Sequence, residues 1–259
     1  MKQKKILVAF VLSLCTFTVV QAQENDFDLG SQRSEIQSIT PVPGKKIDHH
    51  GLVINPTPRH LRLTSGNTVD ISVGVHLIQP ISKRKLTFDY RNELTFLSLS
   101  SKGFPLQIQL VEKPLVVDVV SKKQANVDGV YSLTVSPKEI RILAANDAGA
   151  FYAIQTLRQL IESPIAEGGR KLPCLEINDA PVFPYRGVVE GFYGMPWSHA
   201  VRLSLIEFYG RYKLNTYIYG PKDDPYHSSP NWRLPYPERE QRNIKELVEA
   251  CRRNRVDFV

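Results

Sequence analysis

Cysteine is scarce in this chain, with three residues in 259, and one of them, Cys15, lies in the first apolar run. The other two, Cys174 and Cys251, are too few and too far apart for a disulfide framework or a zinc site. Spacing alone leaves open whether they pair. Cys251 falls on the apolar face of a predicted helix, the usual setting of a buried free thiol. Other signatures are missing as well. There is no GxSxG nucleophile elbow, no glycine-rich phosphate cradle and no CxxC, which removes the common serine-hydrolase, nucleotide-binding and dithiol readings. No internal repeat is present. No basic stripe is interleaved with aromatics, so no nucleic-acid partner is expected. Beyond the N-terminus no segment is long and apolar enough to span a membrane.

What the N-terminus does have is a leader. Lys2, Lys4 and Lys5 precede an apolar run, Ile6 to Val20, and Val20-Gln21-Ala22 offers a cleavage site. A secretory signal over 1–22 is expected, with export to the periplasm or the exterior. The run is short for an anchor, and Leu14 before Cys15 is too large for the usual lipidation site. The leader holds three lysines and no acids, so its loss lowers the formal +7 to about +4, a mildly basic solvated surface.

Residues 23–38 are polar and aperiodic, a flexible linker. Residues 39–180 read as a small α+β domain. Val69 to Val73 and Leu106 to Leu110 alternate as half-buried strands do. Val130 to Val135 and Ile140 to Leu143 flank Ser136-Pro137-Lys138-Glu139, a hairpin turn. Asp147 is the expected N-cap of a helix reaching Ile161, with Phe151, Ile154, Leu157, Leu160 and Ile161 on its core face. Ser163-Pro164 ends it.

From 181 the rhythm changes to strand, helix, strand, helix, strand. Tyr185 to Glu190 is the first expected strand. A helix from His199 to Lys213 follows, capped by Ser198, with Val201, Leu205, Phe208 and Tyr209 facing inward. Thr216 to Tyr219 is the second strand. Pro237 to Arg255 is a second helix, burying Ile244, Leu247, Val248 and Cys251, and Val256 to Val259 opens a third strand. This is the start of a parallel α/β unit, a (β/α)8 barrel or an open sheet. A complete barrel needs roughly 250 residues, so 181–259 is expected to be an incomplete one whose last strand leaves an edge unpaired.

In such folds chemistry gathers in the loops at the carboxyl ends of strands. The first is Gly191-Phe192-Tyr193-Gly194-Met195-Pro196-Trp197. Glycine there permits positive φ and close approach of a ligand to the backbone, and the aromatics could line a sugar site. A tight turn whose aromatics fill the core accounts for the same residues. The second loop is Gly220-Pro221-Lys222-Asp223-Asp224-Pro225-Tyr226-His227. Its prolines stiffen it, and Lys222 stands where it could donate to a substrate hydroxyl or simply face solvent. Asp223 and Asp224 are turn residues as readily as paired catalytic carboxylates. His227 lacks a metal-ligand partner at helical spacing, and His49-His50 reads as surface.

The stretch YRGVVEGFYGMPW, followed by NTYIYGPKDDPYH and by NWRLPYP to VDFV, resembles the opening of the catalytic domain of family 84 glycoside hydrolases, the bacterial β-N-acetylglucosaminidases related to O-GlcNAcases and to hyaluronidase-like enzymes. GVYSLTVSPKEIRILAANDAGAFYAIQTLRQLI is similar to the α+β domain that precedes the barrel in that family and in family 20 hexosaminidases. A family 20 enzyme would carry an Asp and an Arg soon after the YRG strand. Glu190-Gly191-Phe192-Tyr193-Gly194 looks like family 84 instead.

The resemblance implies a retaining β-N-acetylglucosaminidase acting on terminal N-acetylglucosamine of glycans or glycoproteins. The substrate's acetamido oxygen would attack the anomeric carbon and form an oxazoline, with two carboxylates handling protons. By the family pattern that aspartate pair follows the fourth barrel strand, beyond Val259, so no catalytic residue is expected in this chain and the chain alone should be inactive. Two substrate-binding residues carry over. The Gly191 carbonyl would accept from a sugar hydroxyl and the Lys222 ammonium would donate to one. No metal or organic cofactor is implied. The alternatives are a non-catalytic carbohydrate-binding or structural fragment, and a hyaluronan-degrading enzyme of the same fold.

Overall fold

The computed structural model describes residues 51–78, 86–111, 128–163, 170–191, 196–220 and 233–259. The expected signal and polar linker, and His49-His50, lie outside them. Two sheets organise the described chain. The first has six strands: β1 (His60–Asp70), β2 (Val75–Ile78), β3 (Phe104–Leu110), β4 (Tyr131–Val135), β5 (Ile140–Ala144) and β6 (Lys171–Asp179). Their order is β1-β6-β4-β5-β3-β2. A short helix, α1 (Tyr90–Glu93), lies between β2 and β3, and α2 (Asp147–Glu162) lies between β5 and β6.

The β4–β5 hairpin forms as its sequence suggests. The Ser136 amide donates to the Glu139 carbonyl at 3.0 Å, and the Ser136 hydroxyl accepts from the Glu139 amide at 3.2 Å. That closes the four-residue turn and sets the antiparallel register Val135↔Ile140. Helix α2 lies across this sheet. Ala150, Phe151, Ile154, Leu157 and Leu160 are buried against Leu133, Ile140, Ile142 and Leu175, the wide apolar stripe that docks a helix to a core.

Three details differ from the sequence expectation. The helix cap is Asn146, not Asp147. The Asn146 side chain accepts from the Gly149 amide at 2.9 Å, while Asp147 accepts from Thr87. Val69 to Val73 is not one strand, because β1 ends at Asp70. There the Asp70 carboxylate accepts from the Ser72 amide at 2.7 Å, and Gly74 turns the chain at φ +92° with the Ser98 carbonyl where a Cβ would stand. The main part of β1 precedes the expected segment; its alternation runs from His60 to Thr64 and lapses over Ser65 to Asn67, and pairing with β6 holds the strand. The parallel placement of β3 between β2 and β5 is a long-range pairing that no local pattern announces.

The second sheet is parallel, in the order β7 (Gly187–Glu190), β8 (Thr216–Tyr219), β9 (Asp257–Phe258). Helix α3 (His199–Arg211) connects β7 to β8, and α4 (Glu238–Arg253) connects β8 to β9. Strand β8 has the expected bounds. Strand β7 begins two residues late because Arg186 is committed elsewhere. Its amide donates to the Asn215 side chain at 2.8 Å, and its guanidinium donates to the Lys213 and Phe183 carbonyls and to the Tyr152 hydroxyl.

Ile206, Tyr209, Tyr217, Leu247, Ala250, Cys251 and Val256 form the core between this sheet and its helices. The buried faces of the two helices match those expected in part: Tyr209, Leu247 and Cys251 are buried and Leu205 packs partly buried on the core. Val201, Phe208 and Val248 are exposed, Ile244 is half-buried, and Arg202, Ile206, Tyr209 and Gly210 are buried in α3. Cys174 and Cys251 are both buried free thiols. Burial, with Asp257 nearby, pushes the Cys251 thiol up to about 12.

The two sheets meet across a polar seam. Lys213, in the left-handed region at φ 63° and buried, donates to the Tyr131 hydroxyl at 2.8 Å and to Asp179 at 3.2 Å. Tyr131 donates to Asp179 at 2.9 Å and shares a 2.7 Å hydrogen bond with Thr156. Burial lowers the Lys213 pKa, with Asp179 opposing it. Gln159 adds a hydrogen bond to the Arg211 carbonyl at 3.2 Å. This seam abuts the amino ends of β7 and β8, so their carboxyl ends point away from it.

Candidate functional site

Strands β7 and β8 place two glycines side by side at their carboxyl ends. The register pairs Glu190 with Tyr219, and the Gly220 amide donates to the Glu190 carbonyl at 3.0 Å. Gly191 and Gly220 are therefore neighbours, and a Cβ on Gly191 would lie 3.8 Å from the Gly220 carbonyl oxygen. Both are exposed. Neither needs positive φ, which among described glycines occurs at Gly51, Gly74 and Gly129. What these two glycines provide is bare backbone at adjacent strand tips.

Strand alternation sorts the surrounding side chains. Val188, Tyr217, Tyr219 and Phe258 pack toward α3 and α4. Val189 and Ile218 point to the opposite, uncovered face and are 55% and 38% exposed. Glu190 is on the helix side and is 1% exposed. Its carboxylate takes a bidentate fork from Arg202, with Nη2–Oε1 at 2.7 Å and Nε–Oε2 at 3.0 Å, and also accepts from the Tyr217 hydroxyl. The Arg202 guanidinium stands 4.9 Å from the Tyr219 ring centroid. Burial works against the Arg202 charge, but Glu190 more than offsets it and its pKa is raised. Burial and Glu190 together drive the Tyr217 phenol well above its ordinary value, so it remains a donor.

Of the sequence-predicted residues, Gly191 stands at the tip of β7. Lys222 lies outside the described residues, as do Phe192, Tyr193, Asp223, Asp224 and His227. Sequence reasoning missed the Glu190–Arg202–Tyr217 cluster. Glu190 ends the expected first strand and Arg202 lies in the expected helix after it, and nothing local pairs them. A cleft of about 770 Å³ lined by Asn146, Tyr152, Asn215, Arg252 and Asp257 sits at the amino ends of the strands. Ligand chemistry in parallel α/β units belongs to the opposite, carboxyl ends, so this cleft is not the candidate site. Among the described residues no cluster of His, Cys, Asp and Glu could hold a metal ion, and no helix is long and apolar enough to cross a membrane.

Residues 186–259 match the family described as beta-N-acetylglucosaminidase, and residues 52–180 match domain 2 of glycosyl hydrolase family 20. The solved structure of CpGH84B superposes with a TM-score of 0.62 at 30% identity, covering 80% of this chain and 36% of that one. These matches make the chain similar to the N-terminal portion of hexosaminidase-type glycoside hydrolases, family 84 among them. A second family 84 structure, CpGH84D, superposes with a TM-score of 0.64 at 26% identity, over 80% of this chain and 36% of the other. Rat protein O-GlcNAcase (Rattus norvegicus) is 41% identical over 73 residues, 28% of this chain and 8% of that protein. The N,N'-diacetylchitobiase of Vibrio harveyi is 28% identical over 196 residues, 75% of this chain and 20% of that protein. The chain thus spans a fifth or less of the length of these curated relatives.

Proposed function

We propose that this chain is part of an exported, retaining β-N-acetylglucosaminidase that removes terminal N-acetylglucosamine from glycans or glycoproteins. The observation that carries the reading is the adjacency of Gly191 and Gly220 at neighbouring strand ends, within the segment related to O-GlcNAcase. Backbone without side chains there leaves room for a sugar ring against the strand tips. The Gly191 carbonyl accepts from a ring hydroxyl, and Lys222, two residues past Gly220, donates to another. In this reading residues 39–180 form the companion α+β domain, and β7, β8 and β9 are the first three strands of a (β/α)8 barrel.

The chemistry is substrate-assisted. The acetamido oxygen attacks the anomeric carbon as the bond to the leaving oxygen breaks, and one carboxylic acid gives that oxygen its proton. A second carboxylate orients the acetamido group and takes its N–H proton as the oxazoline forms, returning it when the ring opens. Water activated by the first carboxylate, now a base, then opens the oxazoline with net retention. The two carboxyls need environments that separate their pKa values. They lie outside residues 1–259 in this proposal, so this polypeptide alone turns over nothing.

The test is hydrolysis of 4-nitrophenyl N-acetyl-β-D-glucosaminide by the protein translated from its complete gene. Turnover is expected, and Lys222→Ala should lower kcat/KM roughly 10- to 150-fold, the loss of one charged hydrogen bond of about 1.5–3 kcal/mol. No release of nitrophenol by the complete protein, or turnover by residues 1–259 alone, overturns the proposal.

A further inference from the structure

Helix α3 has an unusual attachment. Before Ile206 its only buried residue is Arg202, and Ile206, Tyr209 and Gly210 are all in its second half. In the amino-terminal half Leu203 and Leu205 pack partly buried on the core and His199 pairs with Glu246, so the one buried contact there is polar. That contact is the Arg202 fork on Glu190, the residue immediately before Gly191. The pair therefore bridges the two ends of the 191–198 connection. The Glu190 peptide is fixed in a second direction too, because its carbonyl accepts from the Gly220 amide at 3.0 Å. Tyr217 occupies the remaining carboxylate valence.

A buried ion pair is a weak stability device, since apolar side chains of similar volume hold such a site as well or better. What an ion pair with a planar fork supplies is one defined geometry. We propose that Glu190, Arg202 and Tyr217 are positioning residues: they fix the direction of the Gly191 backbone beside Gly220, so that an N-acetylglucosamine ring is met by a preformed wall. This rests on the activity proposed above. The cluster touches no substrate. It acts through the Glu190–Gly191 peptide on one strand and through Gly220 on the next. A displacement of about 1 Å at such a contact is enough for large losses in binding and rate.

The experiment compares the complete enzyme with the volume-matched triple variant Glu190→Leu/Arg202→Met/Tyr217→Phe, which removes the network without orphaning a buried polar group. Melting temperature, KM and kcat for 4-nitrophenyl N-acetyl-β-D-glucosaminide, and amide hydrogen exchange across 191–201 are read together. The expected result is a melting temperature at or above wild type, KM raised roughly tenfold with kcat less affected, and faster exchange confined to 191–201. A folded variant with native KM and native exchange overturns the proposal. Should the triple variant fail to fold, Arg202→Lys is read instead, since it keeps the charge and removes the fork; it should raise KM and loosen the same segment, and unchanged values overturn the proposal. If the wild-type enzyme hydrolyses no such substrate, the activity reading fails. The exchange comparison still decides whether the cluster holds the Gly191 backbone.

Discussion

Gly187 and Gly191 lie four residues apart in one short motif, and substitution by alanine should affect them in opposite ways. A Cβ on Gly187 would fall 1.7 Å from the Thr216 carbonyl oxygen and 2.6 Å from its carbon. These are backbone atoms of the neighbouring strand, so no side-chain rotation relieves the overlap, and β7 must separate from β8 or shift register. Overpacking that cannot relax costs at least about 3 kcal/mol. For a chain of this size that lowers the melting temperature by roughly 6–12 °C. Among the described residues the atom nearest a Cβ on Gly191 is Val189 Cγ1 at 3.4 Å. Gly191→Ala should therefore melt within ~2 °C of wild type, as ordinary surface substitutions do. Thermal unfolding followed by circular dichroism measures both. Gly187→Ala with a wild-type melting temperature would refute the strand register on which the site is built.

Both buried cysteines should resist Ellman's reagent in the folded protein and react after denaturation. Because the folded Cys251 pKa is raised from 9.0 to about 12, the native state keeps its proton longer than the unfolded chain does. That contribution to stability is full below pH 9 and is lost as pH rises toward 12. Lys213→Met leaves Asp179 and Tyr131 without their buried cation and should cost about 3–5 kcal/mol in urea unfolding. Adding Asp179→Asn should restore part of that loss, since contacting residues are not additive. Asn146→Ala removes the α2 cap and should cost ~1 kcal/mol; an unchanged denaturation midpoint would mean Asp147 caps the helix after all.

The elements legible in the sequence are those whose determinants are local. The Ser136-to-Glu139 turn, the apolar stripe of α2 and the run Thr216–Tyr219 each carry their own period or turn chemistry, and each forms where expected. The determinants that escaped are long-range. Strand β1 is held by its partner β6. The parallel neighbours of β3 come from distant segments. The buried face of α3 is set by Glu190, which draws Arg202 inward and leaves Val201 and Phe208 exposed. At the candidate site the sequence offered two reasons for Gly191, positive φ and bare backbone, and could not choose between them. Lack of a side chain between two adjacent strand tips, rather than φ, explains it. Lys213 shows the same limit, for a lysine after a helix reads as solvated until Tyr131 and Asp179 are brought against it.

The most direct measurement is a crystal structure of the protein from its complete gene with an N-acetylglucosamine-derived inhibitor bound. The account predicts the sugar at the carboxyl ends of β7 and β8, with a ring hydroxyl about 2.7–3.2 Å from the Gly191 carbonyl oxygen and another within reach of the Lys222 ammonium. A sugar seated elsewhere, with both residues out of hydrogen-bonding range, would contradict it.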